Sequence, residues 1–213
     1  MSYQLNQEEG RLLVELARNA VEEYLKTKKH IPVPEDLSKK LLQPCGVFVT
    51  INQLENGEEK LRGCIGYPYP TTPLVQAVID SAINAATQDP RFRPVSQSGL
   101  DKLVFEVSVL TPPKMIEVKT AKEYPTKIKV GKDGLIVERG LYKGLLLPQV
   151  PVEWEWNEEE FLCQCCAKAG LSPDYWLIEG TKIYKFNCII AHEISPRGRV
   201  RVIGPDLSKA EIE

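Results

Sequence analysis

Histidine is nearly absent from this chain. Only His30 and His192 occur among 213 residues, so a site built from several histidines of one chain is excluded. A basic excess is missing too: 27 Lys and Arg stand against 29 Asp and Glu, a net charge of −2. A general nucleic-acid binder usually carries the opposite imbalance. No apolar run approaches the roughly 20 residues that span a bilayer. Met1–Arg11 is too polar for a signal peptide, so the expected location is the cytosol. The chain also lacks a P-loop, G-x-G-x-x-G, G-x-S-x-G and H-E-x-x-H. Nucleotide hydrolysis, dinucleotide redox chemistry and serine hydrolysis therefore have no motif to rest on.

The six cysteines do not form a disulfide framework; in a reducing compartment they are expected as free thiols. Cys163, Cys165 and Cys166 resemble a metal cluster only in one dimension. On a helix, 163 and 166 share a face whereas 165 points elsewhere. A zinc site of paired knuckles needs a second Cys-x-x-Cys, and Cys188 stands alone. Neither a metal nor a cofactor is expected.

What is present is an ordinary globular composition, 43% hydrophobic and 26% charged. Asn6 and Glu9 form a capping box for a first helix whose apolar face is Leu12, Leu13, Leu16, Ala20, Val21 and Tyr24. Val47–Ile51 reads as a strand, Asn56-Gly57 as a hairpin turn, and the returning strand runs into Leu61–Gly66. A second helix is predicted from Thr72 (cap) and Pro73 (first position), ending before Asp89-Pro90. Leu103–Leu110 is a strand with apolar residues on both faces. The order then recurs. Asp133-Gly134 is read as a hairpin turn, Gly134–Val137 and Lys143–Leu147 as strands, Asn157–Ala169 as a helix stopped by Gly170, and Lys182–Ala191 as one late strand. The echo between Arg62-Gly63-Cys64 and Lys143-Gly144-Leu145 suggests a twofold pseudo-repeat.

Several segments admit a chemical and a structural reading. In Leu61–Gly66, strand alternation puts Arg62 and Cys64 on one side, with Gly63 leaving the other bare. A guanidinium beside a thiol stabilises the thiolate, which prepares a nucleophile; alternatively Cys64 is a small buried hydrophobe. In Asp89–Pro94, Arg91 either clamps a carboxylate or phosphate while Asp89 holds it, or simply covers an aromatic ring. Leu145–Leu147 reads as core, with Gln149 beyond Pro148 placed to reach a ligand. His192 with Glu193 offers Cys64 a base and an orienting acid, but neighbours on a strand face opposite ways, so at most one of them serves a given site. Trp154 and Trp156 read as an apolar stripe capping the second half rather than a binding surface. Arg197, Arg199 and Arg201 leave a basic stripe for nucleic acid conceivable, a solvated strand face being the other reading.

Leu61–Gly66 (LRGCIG), Asp89-Pro90-Arg91-Phe92, Gly144–Val150 (GLLLPQV) and Lys168-Ala169-Gly170-Leu171 resemble, in that order, the AMMECR family, named for a human chromosomal region linked to Alport syndrome, midface hypoplasia and elliptocytosis. The unadorned length resembles its stand-alone archaeal members. The resemblance implies an α+β fold: one domain over 1–213, with halves near 1–115 and 116–213, made of two interlocked subdomains of mainly antiparallel sheet. Each would be a pseudo-duplicated β-β-β-α-α-β-like repeat, with an extra N-terminal helix. It implies a cleft between the subdomains at segment 61–66. Carried over residue by residue, its motifs give Arg62, Gly63, Cys64, Asp89, Arg91, Phe92, Pro148 and Gln149 as site candidates, with an acidic position at Glu193 and none at His192. Members occur beside, or fused to, Memo-like and radical-SAM proteins, which implies a shared pathway. Two functions remain open: a cleft that binds or modifies a small polar or acidic group, with Cys64 as the nucleophile if chemistry occurs, or a non-catalytic module that docks a protein partner.

Overall fold

The computed structural model describes residues 4–204. Along the chain run α1 (Gln7–Thr27), β1 (Gly46–Glu55), β2 (Glu58–Tyr67), α2 (Leu74–Thr87), β3 (Leu103–Leu110), β4 (Lys114–Met115), α3 (Tyr124–Lys127), β5 (Gly134–Arg139), β6 (Tyr142–Leu146), α4 (Gln149–Glu153), α5 (Glu158–Lys168), β7 (Lys182–Phe186), β8 (Cys188–Glu193) and β9 (Val200–Ile203). The strands form two sheets, ordered β2-β1-β3-β8-β9 and β4-β7-β5-β6. This is an α+β fold. It divides into a first unit, residues up to 110 together with 189–203, and a second made of residues 111–188. Among the described residues, no helix is long and apolar enough to cross a membrane.

In the first unit α1 begins as its sequence dictates. The Asn6 side chain accepts from the Glu9 N–H at 2.8 Å, and Glu9 accepts from the Asn6 N–H at 2.9 Å. Leu13, Val14, Ala17, Ala20 and Val21 of α1 are buried with Val47, Val49 and Ile51 of β1 and Phe105, Val107 and Val109 of β3. Because strand side chains alternate, Phe48, Thr50, Asn52, Glu106 and Ser108 are committed to the opposite face. The second helix starts later than predicted. Pro73, not Thr72, is its N-cap, and no side chain bonds the first turn.

In the second unit β5 and β6 pair from Leu135↔Leu146 to Arg139↔Tyr142, so the hairpin turns at Gly140 (φ +58°) and Leu141. Asp133-Gly134 is not that turn. Asp133 is buried, and its carboxylate accepts from the Lys129 N–H at 2.9 Å and the Asn187 side chain at 3.1 Å, tying two loops together. The core joins Leu135, Val137, Phe161, Leu162, Cys165, Trp176 and Ile183. The strand expected over Lys182–Ala191 breaks at Asn187. Its first part is β7 of the four-stranded sheet, and its second is β8 of the five-stranded sheet.

The two hairpins share one local device. A Cβ built on Gly63 would lie 2.1 Å from the Ala85 carbonyl oxygen at the end of α2. One on Gly144 would lie 2.5 Å from the Ala169 amide nitrogen at the end of α5. In both units the returning strand touches the end of a later helix, α2 or α5, where only glycine leaves room.

Candidate functional site

The site grows from an irregularity in β2. Ile51 pairs with Gly63 and Asn52 with Leu61, so Arg62 is the extra residue of a β-bulge. The bulge overrides simple alternation. Gly63 turns toward α2, while Cys64 sits opposite Thr50, itself opposite Glu106, on the sheet face turned away from the helices. The Thr50 hydroxyl donates to the Cys64 sulfur at 3.3 Å, and Ser108 donates to Glu106 at 3.2 Å. On β8, His192 Nε2 lies 2.9 Å from Glu59, and its Nδ1 faces Glu106 at 3.5 Å. Contacts therefore link Cys64 to Thr50 on β1, Thr50 to its cross-strand neighbour Glu106 on β3, Glu106 to His192 on β8, and His192 to Glu59, which lies on β2 like Cys64.

The loop after α2 closes the other side. The Asp89 carboxylate is buried and accepts four bonds: the Cys64 N–H at 2.9 Å, the Arg91 N–H at 3.1 Å, and Arg91 Nε and Nη2 at 3.0 and 2.7 Å. Arg91 in turn reaches the Cys64 carbonyl at 3.4 Å. Arg91 and the backbone N–H groups hold Asp89 well below the usual carboxylate range, at about 2, against the opposing cost of burial. The guanidinium carbons of Arg91 and Arg62 lie 5.3 and 6.0 Å from the centre of the Phe92 ring. The structure thus brings Arg62, Cys64, Asp89, Arg91 and Phe92 together, with Gly63 alongside as spacer.

Cys64 is not prepared in the way its sequence neighbour suggested. Burial pushes the thiol up, and the negative charge of Glu106 adds to this; the Thr50 hydroxyl and Arg91 act the other way. Arg62 is directed elsewhere, donating to the Pro94 carbonyl at 3.4 Å and approaching Phe92. His192 is shifted up from its ordinary value by Glu106 first and by Glu59, against desolvation.

Glu193 departs from the expectation of a ligand contact. As the strand neighbour of His192 it faces the interior, where it accepts from Arg18 Nε at 3.2 Å and from the Phe105 N–H at 3.0 Å. Its side chain is only 4% exposed, so both oxygens serve the core ion pair. Of the adjacent His192 and Glu193, the histidine joins the site and the glutamate does not. Pro148 and Gln149 lie in the second unit, as the N-cap and first residue of α4, where the Gln149 side-chain oxygen is buried without a hydrogen-bond partner. Leu145, Leu146 and Leu147 are half-buried, and of the three Leu146 packs against the core of the second unit.

The three clustered cysteines diverge. Cys163 accepts from the Trp176 indole at 3.4 Å, and the Cys165 thiol donates to the Leu135 and Gly144 carbonyls at 3.6 Å. Burial pushes Cys165 up to about 12 and Cys166 up to about 11. Arg197, considered for a basic stripe, is engaged by Glu22 at 2.8 Å and Asp101 at 3.5 Å.

Sequence reasoning missed Thr50, Ser108, Glu106 and Glu59. The signal was available in part, since Thr50, Glu106 and Ser108 interrupt apolar strands at the alternate positions that share a face.

The AMMECR1 family model matches residues 14–191. The chain belongs to the AMMECR1 family. Protein PH0010 of Pyrococcus horikoshii is 56% identical over 202 residues, covering 94% of this chain and 98% of that protein. Protein MJ0810 of Methanocaldococcus jannaschii is 51% identical over 198 residues, 92% of this chain and 96% of its own length. The crystal structure of PH0010 matches with a TM-score of 0.89 at 55% identity, covering 94% of this chain and 99% of that one. Of the four segments that carried the AMMECR resemblance, Leu61–Gly66 and Asp89–Phe92 build the site just described. Gly144–Val150 and Lys168–Leu171 meet in the second unit, where Gly144 abuts Ala169.

Proposed function

We propose that this AMMECR1-family chain binds a small molecule bearing a carboxylate or phosphate at Arg62 and Arg91, with Cys64 as a neutral polar contact. The observation that carries the reading is the clamp on Arg91. Asp89 holds its guanidinium by two side-chain bonds and is itself anchored on the Cys64 N–H, while the Arg91 side chain stays 54% exposed. A cation fixed before its ligand arrives loses little freedom on binding, and the guanidinium's fork of N–H donors can pair two oxygens of either a carboxylate or a phosphate. Arg62, whose guanidinium lies 6.0 Å from the centre of the same ring, supplies the second charge. Thr50 donates into the sulfur, so a neutral Cys64 keeps its S–H for a ligand.

Calorimetric titration with a panel of small carboxylates and phosphate monoesters tests this at fixed salt. Arg62→Ala leaves the Asp89–Arg91 clamp in place and is expected to weaken the best binder about tenfold or more, the usual worth of one charge-assisted bond. If no panel member binds, or Arg62→Ala changes nothing, the reading fails.

A further inference from the structure

A second surface lies in the other unit and is independent of the anion site. Trp154 and Trp156 were expected to cap the apolar interior, but Trp154 is 67% exposed and Val152 beside it 51%. The two indoles stack, with ring centres 6.1 Å apart and planes 18° from parallel. Glu155 between them takes a left-handed backbone (φ +54°), unusual for a residue with a side chain, and this turn sets both rings on one side. The local chain carries charge of one sign. Between Lys143 and Lys168 the chain carries no Lys, Arg or His but five glutamates: Glu153, Glu155, Glu158, Glu159 and Glu160. Glu160 serves the capping box of α5, and Glu158 accepts from the Val130 N–H at 3.5 Å. Glu155, between the two tryptophans, and Glu159, three residues after Trp156, are exposed.

An exposed indole face in a negative field selects its occupant. Tryptophan is the best aromatic partner for a guanidinium or ammonium group, and carboxylates at its rim add direct pairing. Nucleic acid and anionic lipid are repelled by the same glutamates, and a purely apolar partner would have to desolvate them. We infer that the Trp154–Trp156 pair, with Glu155 and Glu159 beside it, docks an arginine- or lysine-bearing segment of a partner protein.

The test uses the full chain and a synthetic peptide of six arginines alternating with glycine. The same peptide with citrulline, the neutral isostere, is the control. Saturable change in tryptophan emission and calorimetric heat are expected with the arginine peptide and not with the citrulline peptide. Trp154→Ala, at a position that contributes little to the core, should weaken binding about tenfold. The double change Glu155→Gln with Glu159→Gln should weaken it and flatten its salt dependence. Circular dichroism of each variant confirms that the fold is retained. Equal binding by Trp154→Ala, or equal binding of the citrulline peptide, overturns the proposal. So does Trp154-dependent self-association in sedimentation, which would make a second copy the occupant.

Discussion

Cys64 carries its sulfur beside a hydroxyl and a carboxylate, not beside the guanidinium that precedes it in sequence. Its alkylation in the native protein is therefore expected to be slow at neutral pH, with an apparent pKa above the reference of about 8.5. Glu106→Gln, which removes a nearby negative charge, should bring that value down. Peptide mass spectrometry over a pH series reads both, with the other five cysteines as internal controls. A fast reaction at neutral pH would restore the nucleophile. His192 and Asp89 set pH limits from opposite ends. The folded-state value of His192 is raised, so its contribution is complete below its unfolded value near 6.5 and is lost as pH rises through the folded value. Asp89 is lowered to about 2, so its contribution is present above its unfolded value near 3.8 and is lost as pH falls through about 2. Denaturation midpoints across pH should show both slopes. His192→Asn should flatten the upper one alone, and an unchanged upper slope would remove His192 from this account.

At the scale of elements, the close contacts at Gly63 and Gly144 are the sharpest constraint. Gly63→Ala and Gly144→Ala each place a Cβ against backbone that cannot give way cheaply, and each should cost about 1–3 kcal/mol or more by urea denaturation. A change within experimental error at either position would mean that the helix end shifts freely. The Arg18–Glu193 pair joins α1 to β8 through the core. Arg18→Met leaves a buried carboxylate without its cation and should cost about 3–5 kcal/mol, whereas Arg18→Met with Glu193→Leu should recover much of it. If the double change is no better than the single one, packing rather than charge is what the pair supplies. Local signals were legible where local chemistry decides: the Asn6 capping box, the helix start at Asn157 and the Asn56-Gly57 turn are where their sequences put them. Asp133-Gly134 misled because the Asp133 side chain is engaged by Lys129 and Asn187, a residue 54 positions away. The bulge at Arg62 was equally hidden, because the period-two pattern of one strand does not reveal how its partner is registered.

For the whole molecule, chain order matters most. β8 and β9 complete a sheet begun by β1, β2 and β3, after the entire second unit has been made. A chain ending at Cys188 would lose both strands and Glu193. It would leave β3 as an unpaired edge and Arg18 buried without its acid. Amide exchange in α1 of that truncated protein should lose its protection; full protection would show that the first 110 residues suffice. Trp154, Trp156 and Trp176 all lie in the second unit, so their emission separately reports on that part.

The sequence by itself determined the AMMECR membership, the α+β class, most element positions and the cluster Arg62, Cys64, Asp89, Arg91 and Phe92. The class and the element positions follow from hydrophobic period and capping chemistry, whereas the membership and the site candidates follow from the resemblance of four short segments; all of these signals are local. Only the tertiary structure decided that His192 rather than Glu193 joins the site, that Thr50, Glu106 and Glu59 surround it, and that the Cys64 thiol is held neutral. Those outcomes depend on strand register and on burial by residues distant in the chain, and a thiol's charge is set by what surrounds it in space.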